Sequence, residues 1–129
     1  MRIGELAKVT GTTPKTLRFY EGAGLVTPAG RTASGYREFG PDAVDRLAFI
    51  RRGRAAGLTL AQIREVIDLR DAGATPCRHV KDLLTYRLAD LDRQITELQA
   101  LRETVAQLHD AAMHADPDDC RPQDVCRYL

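Results

Sequence analysis

The chain of 129 residues is long enough for one domain of ordinary size, or for a small domain with one long helix, and is too short for a large two-lobed enzyme. A composition of 43% hydrophobic and 29% charged residues indicates a folded protein. Only 5% of the residues are aromatic and tryptophan is absent. This composition favours long helical packing over a thick core or an aromatic-lined ligand pocket.

The net charge of +1 conceals two parts of opposite sign. Residues 1–54 contain ten Lys and Arg against five Asp and Glu, a balance of +5, whereas residues 55–129 contain nine against thirteen, a balance of −4. Residues 1–54 could therefore bind a polyanion, whereas residues 55–129 would repel it. No apolar run approaches the roughly 18 residues of a membrane span, and the first eleven residues contain no signal-peptide core. We therefore expect a cytoplasmic protein without membrane attachment.

The first elements in chain order are two short helices. Thr13 can cap the second helix, in which Pro14 takes the first position, and residues 11–13 interrupt the pattern between the two. The first helix is indicated by apolar residues at helical spacing, namely Ile3, Leu6, Ala7 and Val9. Residues 3–21 are therefore predicted to form a helix, a tight turn and a second helix.

A small wing follows, because segments 25–28 and 36–39 have the composition of two short strands around a loop. Gly40 and Pro41 then open a third helix that runs to about residue 56.

The start of the fourth helix, at about residues 60–70, carries a clear local signal. Thr59 and Gln62 are spaced for a capping box, and Leu58 and Ile63 for a hydrophobic staple.

The longest predicted element is a helix over residues 76–112. Its apolar residues recur every three or four positions, as in a coiled-coil seam: Leu84, Leu88, Leu91, Ile95, Leu98, Leu101, Val105, Leu108 and Ala112. A single helix cannot bury this stripe, so the pattern favours a homodimer over a helix packed on its own domain. Residues 113–129 are rich in Asp and Pro and are predicted to form a loop.

Three cysteines, Cys77, Cys120 and Cys126, lie in the acidic part of the chain. An odd number in a reducing compartment argues against a disulfide framework and leaves metal ligation, a reactive thiol or plain packing. The helix from Cys77 to Ala112 is about 52 Å long at 1.5 Å per residue. The segment from Ala112 to Cys120 spans at most roughly 26–29 Å. Cys77 therefore cannot meet Cys120 within one chain.

An antiparallel pair of such helices would bring Cys77 of one subunit near Cys120 and Cys126 of the partner subunit, which gives two equivalent sites. With Thr75 as cap and Pro76 at the first helical position, Cys77 lies in the first turn. Free N–H groups and the helix dipole favour a thiolate there.

In a helix-turn-helix unit the second helix enters the major groove, which makes its polar residues candidates for base and phosphate contacts: Lys15, Thr16, Arg18 and Tyr20. The wing adds donors where a phosphate backbone would pass: Arg31, Thr32, Ser34, Tyr36 and Arg37. Taken alone these are weak signals, because solvated helices often carry such charges. An enzyme is not expected, since no nucleophile–base pairing or Gly-rich phosphate loop is present.

Several motifs, in this order, strongly resemble the mercury-resistance regulator (MerR) family of bacterial transcription factors. They are Ile3-Gly4-Glu5-Leu6-Ala7, Thr16-Leu17-Arg18-Phe19-Tyr20-Glu21, Gly24-Leu25-Val26, Arg31-Thr32-Ala33-Ser34-Gly35-Tyr36-Arg37, Leu47-Ala48-Phe49-Ile50-Arg51 and Gly57-Leu58-Thr59-Leu60. The resemblance covers roughly residues 1–112.

The resemblance implies a mainly α fold, with a winged helix-turn-helix DNA-binding domain followed by a long antiparallel coiled-coil dimerisation helix. The implied boundaries are 1–70 for the DNA-binding domain, 71–75 for a hinge, 76–112 for the dimerisation helix and 113–129 for a metal-binding loop and tail. Family members bind a palindrome in double-stranded promoter DNA, and the effector-bound dimer distorts that DNA for RNA polymerase. By position, the residues that match DNA contacts are Lys15, Arg18, Tyr20, Arg31, Tyr36 and Arg37.

The metal-responsive branch of the resembled family builds its sensor from the start of the dimer helix and from cysteines in the loop beyond its end. This implies the ligand set Cys77, Cys120 and Cys126. A cysteine at position 77 resembles the zinc-, cadmium-, lead- and mercury-responsive members, whereas members selective for copper, silver or gold tend to have Ser. The family's first loop cysteine is replaced here by Ala111-Ala112-Met113. Cys120 matches the second, and Cys126 follows six residues later.

The expected effector is a soft divalent metal ion, namely Hg, Cd, Pb or Zn. Zinc would usually take a fourth ligand, for which the candidates are His114, His79 and Asp119. An alternative keeps the DNA-binding domain and makes the cysteines a thiol redox or electrophile sensor. The absence of a Cys-x-x-Cys motif disfavours this alternative.

Overall fold

The computed structural model describes residues 1–129, apart from the side chain of Pro117. The chain forms two compact units, Met1–Thr85 and Tyr86–Leu129. In chain order the elements are α1 (Ile3–Thr10), α2 (Pro14–Gly22), β1 (Gly30–Arg31), β2 (Arg37–Glu38), α3 (Asp42–Ala55), α4 (Leu60–Asp71), α5 (Cys77–Met113) and a 3₁₀ turn (Pro117–Asp119). The mainly α class and the two-stranded wing are as predicted.

The predicted helix-turn-helix is confirmed at α1 and α2. Gly11 ends α1 in the left-handed conformation (φ 67°), which glycine adopts without steric cost. The Thr13 hydroxyl oxygen then accepts a hydrogen bond from the Thr16 backbone N–H at 3.1 Å, and Pro14 is the first residue of α2.

The core of the first unit is built from apolar side chains of its helices and of the loops between them. Leu6 of α1, Leu17 of α2, Ile50 of α3 and Ile63 of α4 are each no more than 1% exposed. Burying one such side chain contributes roughly 1.5–3 kcal/mol. These contacts hold α2 and the wing on a fixed support.

The wing differs from the prediction at its first strand. Leu25 and Val26 do not lie in a strand, because both are buried in the core. Consecutive strand residues point to opposite faces, so a strand at 25–28 would expose one of the two. The strand instead forms at Gly30–Arg31 and pairs antiparallel with Arg37–Glu38.

The predicted start of α4 is confirmed in detail. The Thr59 backbone N–H donates to Gln62 Oε1 at 3.0 Å, and the Gln62 backbone N–H donates to Thr59 Oγ1 at 3.1 Å. Leu58 and Ile63, the two residues of the predicted staple, are both buried in the same cluster.

The long helix α5 begins one residue later than predicted. The Pro76 carbonyl accepts the first helical hydrogen bond, from the Val80 N–H at 3.0 Å, so Pro76 takes the cap position predicted for Thr75. Cys77 is therefore the first helical residue. The apolar seam is exposed along its length, from 36% at Leu91 to 64% at Leu98.

The tail is a loop with a short 3₁₀ turn, which the prediction did not include. Asp116 Oδ1 caps that turn by accepting from the Asp118 N–H at 2.9 Å. Among the residues described, no helix combines the length and the apolar character needed to cross a membrane.

Candidate functional site

The recognition helix α2 presents its predicted contact residues unequally. Lys15 and Arg18 are exposed, whereas Thr16 is half-buried and its hydroxyl accepts a hydrogen bond from the Thr13 hydroxyl at 3.0 Å. Tyr20 is also half-buried, and it packs against the core. The two cations are therefore the predicted residues of α2 that are free of these local contacts.

The wing is braced internally. Arg31 Nη1 donates to the Gly35 carbonyl oxygen at 2.8 Å, and the Tyr36 N–H donates to Thr32 Oγ1 at 3.1 Å. Tyr36, which follows this turn and precedes β2, is 58% exposed. The contacts fix the turn between β1 and β2, so its exposed side chains start from a defined backbone.

An ion pair joins the wing to the recognition helix. Arg37 Nε lies 2.7 Å from Glu21 Oε2, and the two side chains are 34% and 22% exposed. Because Glu21 belongs to α2 and Arg37 to β2, the pair fixes the wing strand against the end of the helix. The charge of Arg37 is thereby partly neutralised by a carboxylate of its own chain.

A groove of about 550 Å³ lies between the start of α1, the helix α2 and the wing. Its lining brings together three of the predicted DNA-contact residues, Arg18, Tyr36 and Arg37. Arg2 and Glu5 from the beginning of the chain complete it. The groove is an open, mainly basic surface, which suits a negatively charged backbone better than an enclosed small molecule.

The three cysteines are all free thiols. Cys77 at the start of α5 and Cys126 in the tail are exposed, whereas Cys120 is half-buried. Within one chain, no three His, Cys, Asp or Glu side chains among the described residues are grouped so that they could hold a metal ion.

Two of the candidate fourth ligands, His79 and His114, lie beside carboxylates of their own chain. His79 Nε2 lies 3.6 Å from Glu65 Oε2, and His114 Nδ1 lies 3.2 Å from Asp110 Oδ1. The Asp119 backbone N–H donates to the Asp116 carbonyl oxygen at 3.0 Å. A metal that recruited either histidine would have to compete with the carboxylate beside it.

The tail folds back on itself around Cys120. The Tyr128 hydroxyl donates to the Asp116 carbonyl oxygen at 3.3 Å, which closes the loop that contains Cys120 and Cys126. Removal from water raises the pKa of the Tyr128 phenol above its ordinary value of 10.0; Arg127 opposes this effect, and Cys120 and Asp119 add to it.

Comparison with known proteins identifies the family. A model described as "MerR HTH family regulatory protein" matches residues 1–70, and one described as "MerR, DNA binding" matches residues 44–108. The chain belongs to the MerR family. It is therefore a DNA-binding transcriptional regulator and not an enzyme, as the sequence predicted.

Individual MerR relatives are similar over nearly the whole chain. A "Probable heavy metal-dependent transcriptional regulator" of Haemophilus influenzae is 39% identical, covering 93% of this chain and 94% of its own. The regulator CueR of Escherichia coli O157:H7 is 35% identical, covering 93% of this chain and 89% of its own. The crystal structure of PbrR691 from Ralstonia metallidurans CH34 in complex with lead(II) matches with 35% identity and a TM-score of 0.80, covering 100% of this chain and 96% of that one.

Two residues at this surface were missed by the sequence analysis. Arg2 lines the groove and lies over the Tyr36 ring, with its guanidinium carbon 4.7 Å from the ring centroid. Glu21 pairs with Arg37. Glu21 could have been noticed as an acidic residue at the end of a basic helix. No local sequence pattern links Arg2 to Tyr36.

Proposed function

We propose that this chain is a homodimeric, metal-responsive MerR regulator that binds double-stranded promoter DNA and changes its activity when a soft divalent metal ion binds. The DNA contacts proposed are Lys15, Thr16, Arg18, Tyr20, Arg31, Tyr36 and Arg37. The metal ligands proposed are Cys77 of one subunit with Cys120 and Cys126 of the partner subunit. The observation that carries the proposal is the continuous helix α5, which begins at one cysteine and has an exposed apolar seam.

Dimerisation is supported by the exposure of that seam. Leucines at 36–64% exposure along one helix are a large apolar surface that a water-soluble helix normally buries against a partner. A second copy of α5 carries the same three- and four-residue spacing, so it is a matching partner. Antiparallel pairing would place the start of each helix beside the end of the other.

A metal effector is supported by the cysteines and by the relatives. Soft thiolates favour Hg, Cd, Pb and, with a fourth ligand, Zn. One relative is named as heavy metal-dependent, and the similar PbrR691 was solved with lead(II). For a zinc ion, His79, His114 or Asp119 would complete four ligands.

The proposed response couples the metal site to the DNA-binding domain (residues 1–70) through the hinge at 71–75. The hinge starts at Asp71, whose carboxylate accepts two hydrogen bonds from Arg46 of α3, at 2.8 and 3.1 Å. Residues 76–112 act as the dimerisation helix and 113–129 as the metal-binding loop and tail. Metal binding shifts the population of dimers towards one that distorts the promoter for RNA polymerase in the cytoplasm.

The second candidate is a thiol redox or electrophile sensor of the same DNA-binding class. It is favoured by the exposure of two free thiols, Cys77 and Cys126. Such a sensor responds to oxidant without metal, whereas a metal sensor responds as the reduced protein.

Transcription in vitro separates the two candidates. The promoter carries a duplex enriched from a random-sequence library by the protein, and reduced protein is assayed with RNA polymerase and Hg, Cd, Pb or Zn. Cys77→Ser should abolish the metal response and leave DNA binding intact, because serine supplies no thiolate. The control Arg78→Ala changes the exposed neighbour and should respond normally. A metal response that survives Cys77→Ser refutes the proposed site, and activation by oxidant alone supports the redox sensor.

A further inference from the structure

The groove between α1, α2 and the wing holds one arginine that neither the motifs nor the family resemblance assigned. Arg2 lies at the residue before α1, and its guanidinium carbon is 4.7 Å from the centroid of the Tyr36 ring. Arg18 lines the same groove from the recognition helix. The two cations come from positions sixteen residues apart, and Tyr36 of the wing lines the same groove beneath Arg2.

The groove has an excess of positive charge, because its arginines outnumber its carboxylates. Arg37 is engaged by Glu21, so its charge is partly neutralised within the chain. Arg2 and Arg18 share the groove with one further carboxylate, the exposed Glu5. Two guanidinium groups that line one groove favour a polyanion there, because its binding offsets their like charge and releases counterions from the polyanion.

The Tyr36 ring restricts the position of Arg2. A planar guanidinium stacked on an aromatic face loses side-chain freedom before any ligand binds, while its edge N–H groups stay able to donate. Donors in such a fork match two oxygens of one phosphate. The wing turn that carries Tyr36 is itself held by the Arg31 and Thr32 hydrogen bonds.

We propose that Arg2 is a DNA-binding residue that, with Arg18, binds one phosphate of the DNA backbone in this groove, and that Tyr36 holds Arg2 in place. The proposal rests on the DNA-binding surface proposed above. It gives Tyr36 a positioning role in addition to any contact of its own with DNA. Arg2, the residue before α1, thereby becomes part of the proposed interface together with α2 and the wing.

Anisotropy titrations at several salt concentrations test the proposal, with the library-enriched duplex as probe. Arg2→Ala should weaken binding about tenfold at low salt, because a charge-assisted contact is lost. It should also reduce the slope of log affinity against log salt by about one. The affinity of Arg2→Lys should fall between those of the wild type and Arg2→Ala, since lysine keeps the charge and loses the planar guanidinium. Lys8→Ala, an exposed cation of α1 outside the groove, is the matched control and should keep the wild-type slope.

A double-mutant cycle tests the role of Tyr36. Tyr36→Leu removes the ring, and combining it with Arg2→Ala should cost less than the two single effects added together, because both changes disable the same contact. Additive effects refute the positioning role. If Arg2→Ala titrates like the wild type while Arg18→Ala is weakened, Arg2 is outside the interface and the DNA-binding surface stands. If both titrate like the wild type, the groove does not bind DNA.

Discussion

Single residues decide which predicted contacts are free to reach a ligand. Arg18 and Arg37 are both arginines predicted to contact DNA, yet Arg18 is exposed and Arg37 is paired with Glu21 at 2.7 Å. The sequence identifies both as basic residues of the interface. It does not identify the pair, because the partners lie sixteen residues apart on different elements and no local rule relates them.

The Glu21–Arg37 pair should contribute measurably to stability. In a urea-unfolding cycle of Glu21→Gln, Arg37→Met and the double variant, we expect a coupling free energy of about 1 kcal/mol, because both side chains are mostly buried. The control pair, Arg64 and Asp68, lies at 3.8 Å with both side chains more than half exposed. Its coupling should be near zero. Additive effects at Glu21 and Arg37 would contradict the brace between helix and wing.

At the scale of elements, the contact between α3 and α4 depends on the absence of a side chain. A Cβ built on Gly53 would lie 2.9 Å from both Cδ1 and Cγ1 of Ile63, and Ile63 is fully buried. The Ile63 side chain has little room to move away, because it is packed in the core. The close approach of α3 and α4 therefore requires glycine at position 53.

Gly53→Ala should therefore destabilise the protein by about 1–3 kcal/mol, as measured by thermal or urea unfolding. Gly22→Ala is the matched control, because a Cβ at Gly22 of α2 meets no atom within 4 Å. That variant should stay within about 1 kcal/mol of the wild type. Equal stability of the two variants would show that the packing of α3 on α4 is looser than described.

Elements with strong local signals were predictable, and elements that depend on packing were not. The capping box of Thr59 and Gln62 is a local pattern, and it formed where it was predicted. The strand predicted at 25–28 failed because burial in the core prevailed over β propensity at Leu25 and Val26. The Asp116–Tyr128 hydrogen bond in the tail likewise joins residues far apart in sequence, and no periodic pattern predicts it.

At the scale of the whole molecule, the proposed metal site depends on two subunits. The described residues of one chain hold no cluster of three metal-ligating side chains, although the chain contains three free cysteines. In the proposed dimer, the exposed seam of α5 is the surface for a second copy, and antiparallel pairing would bring Cys120 and Cys126 of the partner subunit beside Cys77. From the sequence, the length of the helix and the spacing of its seam predict a partner helix, whereas antiparallel pairing and the ligand set are what the family resemblance implies.

Metal binding to mixed dimers tests this claim most directly. One subunit carries Cys77→Ser, the other carries Cys120→Ser with Cys126→Ser, and two affinity tags select the mixed dimer after co-expression. Cadmium is titrated into reduced protein while thiolate-to-metal absorption is followed. The wild-type dimer should bind two cadmium ions. A dimer in which both subunits carry the same variant should bind none tightly. The mixed dimer should bind one, because one complete site forms across its interface. A mixed dimer that binds no cadmium would contradict the account.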